Sequence, residues 1–343
     1  MLQPRKMIKV GLVGFGLSGK WLQAPYFVLN PNFQLKYIVT SQEIGEDLFN
    51  GTQKAKDLTQ LLEDPEIDLI SICSPSSTHF EYTKRALNAG KHVLVEKPMT
   101  ATYKEALELI DLAKKVNKTL MIYQNRRFDG DFMTVQRVIQ SGVLGDILSY
   151  EARWHRYSPI LNPKPWKEAV SPGNGAIYDL GAHLIDQAIY LFGNPKGVRG
   201  EVYTQREGSN IDDAFDVALD YGKTKVKLSS SLLVKEFEPR YVVHGTKGSF
   251  IKHGLDPQED HLKAGMLPGI NAEFGYENPE NNGQLTTNLA GMELRGEIDT
   301  FPGNWMFLYD NLADVILNGA EAIIKPEEIA EQIRVIEEVK KSD

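Results

Sequence analysis

The stretch Ile8-Lys9-Val10-Gly11-Leu12-Val13-Gly14-Phe15-Gly16-Leu17-Ser18-Gly19 decides the fold. Its first half is short and apolar and runs straight into glycines, the pattern of a buried strand entering a tight turn. The G-x-G-x-x-G spacing has a physical meaning. The first glycine makes the turn, the second lets backbone approach a pyrophosphate, and the third lets the next helix pack closely on the strand. The N-terminus of that helix faces the anion. A glycine motif alone is a weak signal. Here it stands between a strand and a helical pattern, at the head of a βαβ series, so Gly14, Phe15, Gly16, Leu17, Ser18 and Gly19 are candidate cofactor contacts.

Working outward, further strand candidates are Leu35 to Thr40, Asp68 to Cys73, His92 to Glu96 and Leu120 to Gln124. Helical patterns lie between several of them: His79 to Asn88, stopped by Gly90, and Tyr103 to Val116, with Ala106, Leu107, Ile110 and Ala113 on one face. Alternating strands and helices predict a doubly wound parallel α/β sheet. After Asn125 the grammar changes. A helix from Phe128 to Ile139 is followed by longer alternating runs at 147–156, 198–204, 214–220, 225–233 and 240–244. These predict a large, mostly antiparallel open sheet in an α+β domain. Helices at Asp179 to Leu191, Trp305 to Asn318 and Pro326 to Lys341 complete it. The expected division is residues 1–125 for a Rossmann domain and 126–343 for a substrate-binding and oligomerisation domain. The stretch 255–291, rich in Gly, Asn and Pro, reads as a long irregular loop, surface decoration rather than a cover over the active site.

Composition narrows the function class. At 343 residues with 42% hydrophobic content, the chain is long enough for two cores. A net charge of −8 argues against a nucleic-acid surface, which needs a basic face. The single cysteine, Cys73, excludes an internal disulfide and a cysteine-rich zinc site, so a reducing cytoplasm is expected. It lies in an apolar strand and reads as an inert buried thiol. No apolar run reaches the length of a membrane helix. Arg5 and Lys6 before an apolar stretch mimic an export signal faintly, but Lys9 and the glycines that follow favour a first strand.

The end of the second strand bears on the cofactor. An Asp or Glu there would bond a ribose 2′-hydroxyl and favour NAD. The chain instead has Val39-Thr40-Ser41-Gln42. Thr40 and Ser41 leave room for a 2′-phosphate, which favours NADP, with NAD as the alternative; Glu43 is close and no Arg follows immediately.

Two more segments carry chemistry. Glu96-Lys97-Pro98 follows the fourth strand candidate, and sheets of this kind bind ligands outside the carboxyl ends of their strands. Lys97 would project there, and the proline admits a cis bond. The competing reading is a solvated surface lysine. Asp179 and His183 are spaced i, i+4 on a helix, which presents an imidazole with a carboxylate beside it, equipment for a general base. Alone, His183 would read as a helix histidine satisfied by a carbonyl. A metal at Asp179 and His183 with Asp186 or His155 lacks support, since there is no HExxH or cysteine cluster, and no metal is expected. His155 reads as strand decoration.

Through these segments the chain resembles the Gfo/Idh/MocA oxidoreductases. The residues that carry the resemblance are GFGLSG (14–19), SPSSTH (74–79), AGKHVLVEKP (89–98), NRRFD (125–129), DLGAH (179–183) and HGTKGS (244–249), spread over most of the chain. NRRFD and DPQE (256–259) look most like a subgroup that includes NADP-dependent scyllo-inositol dehydrogenases. The resemblance implies that Lys97 hydrogen-bonds the reacting oxygen, that His183 takes the substrate hydroxyl proton and that Asp179 assists. It places Ser74, Pro75 and His79 along the nicotinamide side and Glu96 near the nicotinamide ribose. Thr40-Ser41 departs from the acidic residue that the family often has at the second strand's end. The resemblance also implies dimers or tetramers paired through the second domain's sheet.

Arg126, Arg127, Arg153 and Arg156 bracket Trp154 and Tyr157. They bind substrate hydroxyls or an anion, or else form ion pairs with Asp129, Asp131 and Glu151. Arg127, Trp154, Tyr157 and Trp166 are the candidate substrate contacts, with Tyr178 and Trp166 either pocket walls or core. The reading is an NADP-preferring dehydrogenase of a cyclic polyol or sugar. Its rivals are the same chemistry on a dihydrodiol, aldose or sugar acid, a dinucleotide-binding regulator without turnover, and a structural protein with a vestigial site.

Overall fold

Short strands of three to seven residues build the first sheet, the central ones apolar and buried on both faces. Strands β1 (Ile8–Val13), β2 (Phe33–Val39), β3 (Gln53–Ala55), β4 (Leu69–Ile72), β5 (His92–Val95) and β6 (Leu120–Ile122) lie in the order β3-β2-β1-β4-β5-β6, all parallel. The structure, a computed structural model, describes residues 7–45 and 48–341, without the side chains of 165 and 166. Val10, Leu12, Ile38, Ile70, Ile72 and Val93 to Val95 are inaccessible to solvent, as a sheet covered by helices on both faces requires. The order steps outward from β1 in both directions, so the carboxyl ends of β1 and β4 form the switch point where such sheets bind ligands.

The second sheet holds β7 (Ile147–Arg153), β8 (Gly197–Tyr203), β9 (Ala214–Tyr221), β10 (Thr224–Ser231), β11 (Tyr241–Gly245), β12 (Gly248–Lys252), β13 (Gly283–Leu289) and β14 (Met292–Ile298). Their order is β14-β13-β12-β11-β7-β10-β9-β8, antiparallel except for β7 beside β10. One face packs Tyr150, Ala152, Phe215, Val217, Val226 and Leu228 into the core against the helix Ala182–Phe192. The opposite face is charged. Here the structure differs from the sequence expectation: β13 takes the end of the stretch 255–291 that reads as irregular chain, and β14 follows directly after it. Every residue of β14 except Ile298 is exposed, so no alternation marks it. Its hairpin turns at Ala290 and Gly291, both at positive φ (51° and 82°), a twist that suits a two-residue hairpin.

The chain divides into two units. The first takes the chain up to Asn125 together with Glu259–Phe274 and Asn304–Ala330; the second takes Arg126–Gln258, Gly275–Gly303 and the chain from Glu331 onward. The later segments of the first unit are unlike the expected single cut at 125, and aromatic packing explains one of them. Tyr309, on the helix Met306–Asn318, stacks on Tyr26 at 4.9 Å and meets Phe27 edge-on at 5.0 Å, while its hydroxyl donates to the Leu22 carbonyl at 3.2 Å. Each such ring pair adds about 1 kcal/mol beyond the area it buries.

In the second unit, Asp256 accepts from the Gly130 N–H at 2.7 Å and the Gln258 N–H at 2.9 Å, supplying the cap for the helix Gly130–Gln140. Burial, and then the neighbouring Asp131 carboxylate, push its pKa up to about 7 from 3.8. The folded chain therefore keeps a proton that an unfolded chain releases near pH 3.8, and stability falls as pH rises through that window. Between pH 5 and 7 the loss is about 2 kcal/mol. Asp256→Asn is expected to flatten this slope. Denaturant midpoints at pH 5, 6, 7 and 8 for both proteins test it, and parallel pH curves would refute it.

Candidate active site

In the first unit the glycine turn meets three different constraints. Gly14 has φ +97°, and a Cβ there would stand 2.7 Å from the Cys73 carbonyl oxygen. A Cβ on Gly19 would collide with the Gly14 carbonyl oxygen, so the helical stretch from Leu17 to Leu29 packs directly on the turn. A Cβ on Gly16 would meet nothing, so its backbone faces open space. Turn, open approach and close packing are the three roles a pyrophosphate cradle demands, and the residues fit a dinucleotide. Phe15 is buried edge-on against Phe49 at 5.6 Å, while Leu17 is exposed.

A polar chain ties this turn to the end of β5. Ser71 Oγ donates to Gln23 Oε1 at 2.6 Å, Gln23 Nε2 donates to Glu96 Oε1 at 2.9 Å, and Ser18 Oγ donates to the same oxygen. Glu96 Oε2 accepts from the Lys97 N–H at 3.0 Å, fixing the backbone from which the half-buried Lys97 side chain springs. The Lys97–Pro98 peptide is cis. Gln23 and Ser71 are fully buried, and nothing in the sequence periodicity singled them out.

The Ser74 turn is braced from below. Ser74 Oγ bonds Thr78 Oγ1 at 2.6 Å, and Thr78 Oγ1 donates to the Pro75 carbonyl at 2.7 Å. His79 is buried, with Nδ1 2.7 Å from the Pro98 carbonyl and Nε2 2.9 Å from the Ser74 carbonyl. It holds the Ser74 turn to the Lys97–Pro98 turn. Pro75 is exposed. Cys73 lies beneath: burial and the nearby Glu96 charge push its thiol pKa well up, which makes it a poor nucleophile. Thr40 Oγ1 accepts from the Gln42 N–H at 2.9 Å, and Ser41 is exposed beside it.

In the second unit, Asp179 and His183 sit where a wide π-type turn, Ile177–Gly181, leads into the helix Ala182–Phe192. Asp179 is exposed and His183 is buried. Asp212 secures this start. Its Oδ2 accepts from the Ile177 N–H at 2.9 Å, its carbonyl from the Ala176 N–H at 2.8 Å, and Lys340 reaches its Oδ1 at 2.8 Å. The His183 ring lies 5.5 Å from Trp154, which is itself buried beneath Arg240 at 4.2 Å and Arg126 at 5.1 Å. Trp154 is thus a buried platform for His183.

The arginines divide. Arg127 is buried and holds Asp186 in a two-pronged pair at 2.8 and 2.6 Å, with Tyr190 against its plane. Arg126 meets Asp129 at 3.3 Å, and Arg153 meets Glu151 and Glu238. Arg156 is exposed over Trp154 at 5.7 Å, and Tyr157 is exposed under Lys235. The Trp166 side chain lies outside the described residues. His155 Nδ1 accepts from the Ser231 N–H, and burial lowers its pKa, the state of a neutral structural ring. A hollow of about 680 Å³ opens on the charged face of the second sheet. Glu151, Arg153, Arg199, Glu201, Asp216 and Lys227 line it, none of them a candidate reacting group. No described helix is long and apolar enough to cross a membrane.

Residues 8–124 match the model for the NAD-binding Rossmann fold of an oxidoreductase family, and residues 136–343 match the model for its C-terminal alpha/beta domain. The chain is 39% identical to scyllo-inositol 2-dehydrogenase (NADP(+)) IolW of Bacillus subtilis, over 96% of this chain and 92% of that one. It is 30% identical to the D-glucoside 3-dehydrogenase of Escherichia coli over 55% of each chain. The solved structure of the putative oxidoreductase yvaA from Bacillus subtilis superposes with a TM-score of 0.95 at 38% identity, covering 99% of this chain and 98% of that one.

Proposed function

The chain belongs to the Gfo/Idh/MocA oxidoreductase family, and from that premise we propose that it oxidises a ring secondary alcohol of a cyclic polyol of the scyllo-inositol kind to the ketone, with NADP preferred. It is an NAD(P)-binding dehydrogenase acting on CH–OH groups. The observation that carries the reading is the Ser18–Gln23–Glu96 chain, which couples the glycine cradle to the backbone of Lys97.

Bound at Gly14 to Gly19, the nicotinamide dinucleotide supplies the hydride acceptor. The chain's residues supply the rest. His183 takes the proton of the substrate hydroxyl, on a ring oriented by Trp154. Lys97 donates a hydrogen bond to the same oxygen as it becomes a carbonyl. Asp179, exposed one turn before His183, binds substrate or orients the imidazole. Two copies, or four, are proposed to pair across the charged face of the second sheet, which sedimentation velocity reads directly; a monomer at working concentration would remove that part.

Mixing the protein with NADP or NAD and then scyllo-inositol, myo-inositol or glucose tests the reaction by absorbance of the reduced nicotinamide. Inositol-dependent reduction at least about tenfold faster with NADP is expected, a gap of about 1.4 kcal/mol. Turnover only with glucose would move the substrate to the aldose class. Cofactor binding without turnover on any polyol or aldose would favour a regulator.

A further inference from the structure

We propose that Lys54 is the side chain by which this chain tells NADP from NAD, its ammonium meeting the phosphate on the adenosine ribose. The proposal rests on the dinucleotide reading of the glycine turn and adds the residue that sets its specificity.

The geometry converges on one edge of the first sheet. The Gly14 N–H donates to the Val39 carbonyl at 3.1 Å, so the end of β2 lies against the cradle. β3 runs parallel to β2 with Ile38 opposite Lys54 and Val39 opposite Ala55. Ala55 is buried, so alternation turns Lys54 to the open face. Its Nζ reaches forward past the strand end and donates to the Ser41 carbonyl at 3.2 Å. The Gln42 N–H to Thr40 Oγ1 bond folds the chain after β2 into a small turn. The exposed Ser41 and the Lys54 ammonium therefore stand together where an acidic residue would otherwise bond a ribose hydroxyl.

The bland alternative is a surface lysine paired with Glu43. That pair is 3.9 Å apart, and the Glu43 side chain is 99% exposed, so it does not hold the ammonium in place. A phosphate dianion offers a stronger partner, and lysine suits it as a compact charge. No arginine follows β2 immediately; the cation comes from the next strand, 13 residues beyond Ser41.

Fluorescence titrations of NADPH and NADH with the wild type and with Lys54→Ala, Lys54→Arg and Lys54→Glu test this. Lys54→Ala is expected to weaken NADPH ~10- to 100-fold, the range for a charge-assisted bond, and to leave NADH within about twofold. Its NADPH affinity should also depend less on salt. Lys54→Arg should keep most of the NADPH affinity, and Lys54→Glu should reverse the preference. Equal weakening of both cofactors, or of neither, overturns the proposal while the dinucleotide reading stands. A wild type that binds neither cofactor overturns that reading and this proposal with it.

Discussion

The His183→Asn variant is expected to lose roughly 10³-fold in kcat while binding NADPH within about twofold of the wild type, since a positioned general base contributes about 10² to 10⁴. The two effects separate because the residues that touch each differ. His183 sits on the second unit's helix, its ring against Trp154, and Asn keeps a polar group of smaller size there. The cradle and its Ser18–Gln23–Glu96 chain belong to the first unit. Lys97→Ala should lower kcat by a similar factor, because it removes the donor to the reacting oxygen. Asp179→Asn should cost less, since an orienting group does not itself carry the proton. Steady-state kinetics with polyol as the varied substrate, beside a cofactor titration, decide the matter. Retention of kcat within tenfold in His183→Asn would remove it from the proton path. Loss of NADPH binding in the same variant would mean that the change reaches the cofactor and not the proton.

Arg127→Met is expected to destabilise the second unit by about 3–5 kcal/mol, because it leaves the Asp186 carboxylate buried without its two-pronged partner. Arg127 is a candidate substrate contact by sequence, and in the structure it is buried against Asp186. A structural pair obeys the logic of a thermodynamic cycle. Arg127→Met combined with Asp186→Leu removes both charges and should recover most of the loss, since an apolar replacement of a buried pair is often neutral. A substrate contact behaves otherwise: KM rises in the single variant and the second change restores nothing. Denaturant unfolding of the wild type, both single variants and the double variant, with KM for each folded protein, separates the two. Equal stability of wild type and Arg127→Met would show that the pair carries no net weight.

How much of this was legible in the sequence follows from what each residue is for. Strands β1, β4 and β5 were readable because they are buried on both faces, and apolar runs such as Val93 to Val95 have few other uses. Gly14, Gly16 and Gly19 were readable because a backbone constraint leaves its mark on composition. Strand β3 was not, since three residues with only Ala55 buried show no period. Strand β14 was not, since almost all of it is exposed. Arg127 could be named but not assigned: its partner Asp186 is 59 positions away, and only folding shows which of several carboxylates it finds. Asp212, in the run Asn210-Ile211-Asp212-Asp213, looked like any acidic loop residue until its bond to the Ile177 N–H made it the brace of the His183 helix. Gln23 is the same lesson inside a helix, where its type gives no hint of the carboxylate it holds.

The stacking of Tyr309 on Tyr26 has a consequence for how the protein is made. A ribosome finishes the six parallel strands by Ile122, yet the helix that covers Tyr26 and Phe27 begins at Met306. At about 5–20 residues per second, the newborn sheet waits on the order of 10 to 40 seconds for that helix. During the wait Tyr26 and Phe27 lack the rings that pack on them in the finished unit, so a chain cut short before Met306 would carry a sticky surface where the complete one has a core.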